Sequence, residues 1–579
     1  MLKLLRLLKP YQSLLIVIGL LAVGQSVANL YLPTLMGDIV NKGIASFDTN
    51  YIWATGGLMA VVAIVGTVCA VAGTYFSSQV AVGMTKALRH EIFTHVQKFS
   101  LHEFDLVSTA SLITRTTNDT TQIQQVMVMV FTLLITAPIT IIAGIVLALR
   151  QDVGLSWVLV AIMPALIGFI LVVLFRAIPL FSKMQVKLDK LNLILDENLQ
   201  GVRVIRAFDR ITHEEKRFDV ANDEVTDIAI RVNQIMASLM PMMMFLINLS
   251  SVAIIWFGSL RVTEHHLELG SMFAFLQYAF QILFSLLMVA VVFVMIPRAE
   301  ASAKRINEIL TIKPEIDDPK SKKKTSKLRG HVQFDHVTFS YHGAEKPALT
   351  DISFTATPGK VTAIIGGTGS GKTTLVNLVP RFYDVEKGRV LVDGTDVRDM
   401  AQHELREKIG FVPQKAILFA GTVASNIRYG KEDATDRELR HAADIAQASE
   451  FIDRMPDKFH APIAQGGTNV SGGQMQRLSI ARALVRKPEI YIFDDTFSAL
   501  DFKTDARLRA ALKKEIEHAT VLIVAQRVST VMDADQIIVI DDGAVVGIGK
   551  HRELMKTCAV YRDIVSSQLS AAEIEKEAA

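Results

Sequence analysis

The sequence predicts two fused domains of different class: an α-helical membrane domain of six spans, then an α/β domain built around a phosphate-binding loop. Three observations carry this. Six long apolar stretches lie before about residue 297. After about residue 320, short apolar runs alternate with charged helical stretches. In that second region GGTGSGKT, Gly366 to Thr373, fits the pattern G-x-x-x-x-G-K-[ST] between an apolar run and a helical one. Of the 579 residues 50% are hydrophobic, and the mean hydropathy is +0.33, which places the chain among membrane proteins. A net charge of +3 is too small to argue for nucleic acid as a partner. The two cysteines, Cys69 and Cys558, fall in different domains, so neither a disulfide framework nor a zinc spacing can be built.

The spans run approximately 14–40, 52–85, 126–149, 155–177, 236–260 and 271–297. Each supplies the roughly 20 apolar residues that a membrane helix needs. The opening MLKLLRLLKP could begin a secretory signal. Its apolar run continues through Pro33 to about Val40, long for a signal core, so we read an uncleaved first span. A short amphipathic helix precedes it, with Lys3, Arg6 and Lys9 on the polar side. Lys86, Arg89, Lys98 and Arg115 follow span two, and a basic series from Arg176 to Arg217 follows span four; the other connections hold only Lys42, Arg150 and Arg261. The excess of positive charge predicts cytoplasmic termini, short outer loops and two long inward connections. The helical pattern of those connections extends spans two to five beyond the bilayer. Pro33, Pro138, Pro164, Pro179, Pro241 and Pro297 are expected to bend or end helices.

Some membrane residues allow two readings. Met236, Met240, Met242, Met243 and Met244 suit either a pocket that accepts many apolar shapes or plain packing. Asp38 is either part of an outer gate or cation site, or an interfacial charge. His265 and His266 have no further metal ligands beside them.

The membrane domain is assigned to 1–312, a polar linker to 313–330 (KPEIDDPKSKKKTSKLRG) and the nucleotide-binding domain to 331–579. Lys322 to Lys324 read as a solvated linker face, with contact to anionic lipid as the alternative. In the second domain VTAII, Val361 to Ile365, is the strand before the loop and TTLVNLV, from Thr373, the helix after it. That order lets the backbone of Gly366, Gly367, Thr368, Gly369, Ser370 and Gly371 approach phosphates closely, at the positive end of a helix dipole. Lys372 reaches the β and γ phosphates, the Thr373 hydroxyl ligates Mg²⁺, and Thr374 follows in the same turn. The apolar strand of IYIFDD, Ile490 to Asp495, delivers Asp494 to the Mg²⁺ shell.

NVSGGQMQR, Asn469 to Arg477, lies between these two motifs and resembles the signature of ATP-binding cassette (ABC) proteins. The resemblance implies ATP and Mg²⁺ as ligands and gives further positions a role. Tyr341 would stack on adenine. Gln414 of FVPQ would be the Q-loop residue that senses Mg²⁺. Ser498 to Asp501 would be the D-loop, and Gln526 stands at the switch-histidine position. Ser471, Gly472, Gly473 and Gln474 would face the ATP of a partner cassette. FDLVSTASLITRTTND, Phe104 to Asp119, and VRVIRAFDRITHEEKRF, Val202 to Phe218, are similar to the intracellular segments of ABC exporters, and RAEASAKRINEIL, Arg298 to Leu310, to the exit from the sixth span. The family implies a domain-swapped dimer in a bacterial plasma membrane, in contact with lipid, moving a small amphipathic substrate.

The sequence departs from that family at three places. Asp495 stands where Glu usually polarises the attacking water, Gln526 stands for His, and Gln465 for Glu. General-base help is worth about 10²–10⁴-fold, or roughly 3–5 kcal/mol of barrier. The chain therefore looks like the degenerate half of a bacterial heterodimeric multidrug exporter. It would bind ATP at a weak site of its own and lend an intact signature to a partner half that carries the Glu and His. A slowly hydrolysing homodimer and an ATP-gated channel or regulator stand as alternatives, and six apolar spans exclude a soluble nucleic-acid ATPase.

Overall fold

The computed structural model describes residues 2–319 and 328–569, so Lys322 to Lys324 lie outside the described residues. The chain forms two compact units. One comprises the chain up to Gln97 together with Ser108–Ile312; the other comprises Lys98–Val107 and the chain from Lys313 onward.

The first unit is helical throughout. A 3-10 helix, Leu2–Tyr11, leads into α1 (Gln12–Asp38), and α2 is Thr49–Val96. The short α3 (Leu101–Val107) belongs to the second unit. The third span consists of α4 (Thr109–Thr114), α5 (Thr120–Met129) and α6 (Ile135–Gln151), joined by π-helical turns at Arg115–Asp119 and Val130–Leu134. Then follow α7 (Val153–Ala207), α8 (Ile211–Thr263) and α9 (Leu269–Thr311). Among the described residues six helical stretches are long and apolar enough to cross a membrane. At 1.5 Å per residue, the 48, 55 and 53 residues of α2, α7 and α8 span roughly 70–80 Å. The hydrocarbon core of a bilayer is roughly 30 Å thick, so each of these helices continues well beyond it.

All six prolines lie inside helices and none ends one. Pro138 cannot donate to the Leu134 carbonyl, and the second π turn finishes at Leu134, so the local break in the helix ladder has an identified cause. Carboxylate oxygens fix the starts of α2 and α7. Asp48 accepts from Tyr51 N (3.0 Å), and buried Asp152 accepts from Leu155 N (2.6 Å) while pairing with Arg261 Nε of α8 (2.8 Å).

Packing divides the helices. α7 and α8 pack chiefly on one another, whereas α1 lies against α2, α6 and α9. Tyr278, Phe275 and Ile282 of α9 are fully buried with Leu30 of α1, while Trp157, Phe175 and Trp256 point outward, as lipid-facing side chains do. The Asp119 carboxylate of the membrane unit is wholly buried. Asp119 accepts from Ser302 Oγ (2.9 Å) and Arg305 Nε (2.8 Å), tying the third span to α9. Asp38 is paired with Lys42 (2.8 Å). The methionines split: Met243 is buried between helices, Met240, Met242 and Met244 are exposed, and Met236 borders a cavity.

In the second unit the strands are β1 (Val332–Phe339), β2 (Leu349–Ala356), β3 (Val361–Gly366), β4 (Lys387–Val392), β5 (Thr395–Asp396), β6 (Ile409–Val412), β7 (Gly421–Thr422), β8 (Pro462–Ile463), β9 (Ile490–Asp494), β10 (Thr520–Val524), β11 (Gln536–Asp541) and β12 (Ala544–Gly549). One sheet is antiparallel, in the order β2-β1-β4-β5. The larger has the order β12-β11-β3-β10-β9-β6, with β11, β3, β10, β9 and β6 parallel. β9 and β10 are buried at every position, as expected of strands covered on both faces. The parallel alignment brings the ends of β3, β9 and β10 together, where ligands of open α/β sheets bind. The start of the linker is not loose: Ile316 is buried, Asp318 accepts from Gln402 N (2.9 Å), and Glu103 of α3 accepts from Glu315 N (3.1 Å).

Candidate nucleotide site and membrane cavity

β3 ends at Gly366 and the helix Lys372–Asn377 begins six residues later. Two glycines at this junction, Gly366 and Gly371, leave no room for a side chain. Gly371 has φ +96°, and a Cβ there would lie 2.7 Å from the Ala348 carbonyl; one on Gly366 would lie 2.1 Å from that of Ile540. Gly367, Thr368 and Gly369 are exposed. Lys372 is buried and folds back on this loop, donating from Nζ to the carbonyls of Gly366 (3.1 Å) and Gly367 (2.5 Å). Burial pushes its pKa below the ordinary lysine range, against the pull of Asp495 and Asp494. A ring of backbone N–H groups with an ammonium beside it fits a polyphosphate.

The Thr373 hydroxyl donates to Asp494 Oδ1 (2.9 Å), and burial raises the carboxyl pKa above its usual range. Two hard oxygen donors at that separation suit Mg²⁺. Thr373, Asp494 and Gln414 would hold the ion, which supplies charge neutralisation for the phosphates and would keep Asp494 ionised.

Asp495 is the junction of the site. It follows β9 with φ +43°, a left-handed conformation that Asp tolerates better than most side chains. Its N–H donates to the Val524 carbonyl of β10 (3.0 Å). Its Oδ2 accepts from Gln414 Nε2 (3.2 Å) and from Gln526 Nε2 (3.0 Å). Burial raises its pKa above the carboxylate norm. The Q-loop residue, the residue at the switch position and the carboxylate after β9 thus meet at one oxygen. Ser498 Oγ donates to the Asp495 carbonyl (2.8 Å), and Arg527, unremarked in the sequence, donates to the Ser498 carbonyl (3.1 Å). It attaches the Ser498 segment to the turn that follows β10.

Tyr341 is 40% exposed. Its hydroxyl shares a hydrogen bond with Thr374 Oγ1 (2.8 Å), and Phe339 and Tyr383 meet it edge-on. The next residue, His342, lies 4.9 Å from the ring of His102 in α3. Ser471 caps the helix Gly472–Val485 reciprocally with Gln474. Ser471 and Gly472 are exposed and Gly473 and Gln474 half-buried, leaving the helix N-terminus open to an external phosphate. Gln465 is exposed.

A cavity of about 770 Å³ lies within the membrane unit, between α1, α2, the third span and α9. Gln25, Asn29, Gln277 and Gln281 border it. The sequence carried a signal for them: amides four residues apart in two otherwise apolar spans share one helix face.

Comparison with known proteins agrees with this architecture. A family model described as the ABC transporter transmembrane region matches residues 15–287, and one described as ABC transporter matches 349–498. An uncharacterised ABC transporter ATP-binding protein of Mycobacterium tuberculosis is 41% identical over 98% of both chains. The chain belongs to the ABC transporter family. A Bacillus subtilis ABC transporter ATP-binding protein is 37% identical over 98% of both chains, and an ATP-dependent lipid A-core flippase of Vibrio parahaemolyticus is 30% identical over 96% of both. The structure of a bacterial Atm1-family ABC exporter with ATP bound superimposes with a TM-score of 0.81 at 25% identity, covering 98% of this chain and 99% of that one. The chain is thus an ATP-hydrolysing ABC exporter half, with a six-span membrane domain and an α/β cassette. ABC exporters work as dimers.

Proposed function

We propose that this half-exporter works in a heterodimer, binding Mg·ATP at a weakly hydrolytic site of its own and completing a stronger site on its partner. The observation that carries the proposal is the Asp495 carboxylate, engaged by both Gln414 and Gln526. Asp is one methylene shorter than Glu, and a Gln amide cannot carry positive charge. Neither group reproduces the base and the cation that the family uses. The signature turn from Ser471 to Gln474 keeps its cap and can serve the other site. Cytoplasmic termini follow from the basic inward connections, and a bacterial plasma membrane is the expected location. α7 and α8, packed chiefly on each other, suit a hairpin exchanged with the partner.

The substrate class that fits is amphipathic: drug-like molecules or lipids, the latter in line with the name of the Vibrio relative. The test compares ATPase activity of the purified chain alone with that of the chain paired with a half bearing Glu and His at these positions. We expect turnover mainly in the pair, and a lone chain as active as the pair would sink the heterodimer reading.

A further inference from the structure

We infer that the cavity between α1, α2, the third span and α9 selects uncharged amphipathic substrates whose head groups carry several hydroxyl or amide groups. The inference rests on the export reading and names its substrate class.

The cavity is neither greasy nor charged. Among the described residues no Asp, Glu, Lys, Arg or His borders it. Its polar groups are amides and hydroxyls. Gln281 Nε2 donates to the Asn29 carbonyl (3.0 Å), and Thr140 Oγ1 donates to Ser26 Oγ (3.2 Å). Gln25 and Gln277 lie on the same lining. Ser77 Oγ is fully buried at this boundary and has no hydrogen-bond partner among the described residues. Leaving a buried hydroxyl unpaired costs free energy, and a ligand group would remove that cost. On the apolar side, Phe280 and Phe284 stack with ring centroids 5.9 Å apart and planes 12° apart, next to Met288. The two sides suit a polar head on the amides and a tail or ring on the aromatic and Met surface. The volume of about 770 Å³ falls within the range of small-molecule sites.

An ionised head group would find no counter-charge there, and burying an unpaired charge within a membrane is disfavoured. The charges of the unit lie elsewhere. A second cavity is bordered by Asp119, Arg305 and Arg298. Asp119 and Arg305 there are already paired with each other.

The test uses the full chain in nanodiscs and three fluorescent probes that share one C12 tail: a glucoside, a phosphate and a trimethylammonium. Binding is read by anisotropy against empty nanodiscs. The glucoside should bind at least roughly tenfold more tightly than either ion. Gln277→Leu should weaken the glucoside, and Gln277→Lys, on the same folded background by thermal melting, should bring in the phosphate probe. Equal binding of all three probes, no binding of the glucoside, or a Gln277→Lys protein still blind to phosphate would overturn the inference. Selective binding would uphold it even if proteoliposomes of chain plus partner showed no ATP-dependent movement of the glucoside; that second result would count against the export reading alone.

Discussion

Replacing Asp495 by Glu and Gln526 by His should raise ATP turnover by a homodimer of this chain. A general base must come within roughly 2.6–3.2 Å of the proton it takes. One more methylene adds a C–C bond of about 1.5 Å, advancing the carboxylate by ~1.3 Å along an extended side chain. A carboxylate short by that amount would stand about 4 Å from the water, too far for a direct proton transfer. The full effect of a positioned base is about 10²–10⁴-fold, or roughly 3–5 kcal/mol. Against it stands the backbone: Asp495 has φ +43°, a region that costs Glu up to ~1 kcal/mol more than Asp. The Gln414 and Gln526 hydrogen bonds to Oδ2 would also have to rearrange. The net expectation is a rise in kcat of at least roughly tenfold, since about 1.4 kcal/mol suffices for that. The KM for ATP should change little, because the phosphate loop is untouched. Phosphate release under saturating Mg·ATP is the assay. If Asp495→Glu, Gln526→His and the double variant all left kcat at or below the parent value, the account of the weak site would be wrong.

Other outcomes follow from the same structure. Gly371→Ala places a methyl 2.7 Å from the Ala348 carbonyl at φ +96°, so equilibrium nucleotide binding should fall at least tenfold. Ser471→Ala removes the cap of the signature helix; it should leave binding at this chain's own loop intact while lowering ATPase of the heterodimer, read by paired binding and turnover measurements. Asp119→Ala removes the buried partner of Ser302 and Arg305. Because Arg305 is 45% exposed and can rehydrate, the cost should be about 1–3 kcal/mol, seen as a lower melting temperature in detergent.

The candidate nucleotide site could be proposed from sequence because its chemistry is local. Gly366 to Thr373, Asp494 and Asp495 are contiguous or fixed by strands, and the parallel sheet brings β3 and β9 to one edge whatever the details of packing. Six spans were legible because apolar length alone specifies them. The hydrogen bond from Gln526 to Asp495 joins residues 31 apart in sequence, and the Asp119 pair joins residues 186 apart; no local pattern reports such meetings. The membrane cavity lay between these extremes. The spacing of Gln25 and Asn29, and of Gln277 and Gln281, was visible, but that the two faces border one cavity depends on helix packing. Within the polar stretch assigned to the linker, Ile316 is a single apolar residue, and its burial is a tertiary contact that local composition does not report.

The ten residues Lys98–Val107 are counted with the cassette although they sit between α2 and the third span. Such an arrangement leaves no slack. The segment is pinned by Glu103, which accepts from both Ser100 N and Glu315 N, and by His102 against His342. His342 adjoins Tyr341, the residue expected to stack on adenine, so this inserted segment packs beside that ring within the cassette itself. A cassette cut free at residue 313 would lose this segment, leaving the His342 surface bare. Its solution behaviour would then describe a cassette that lacks ten residues of its own fold.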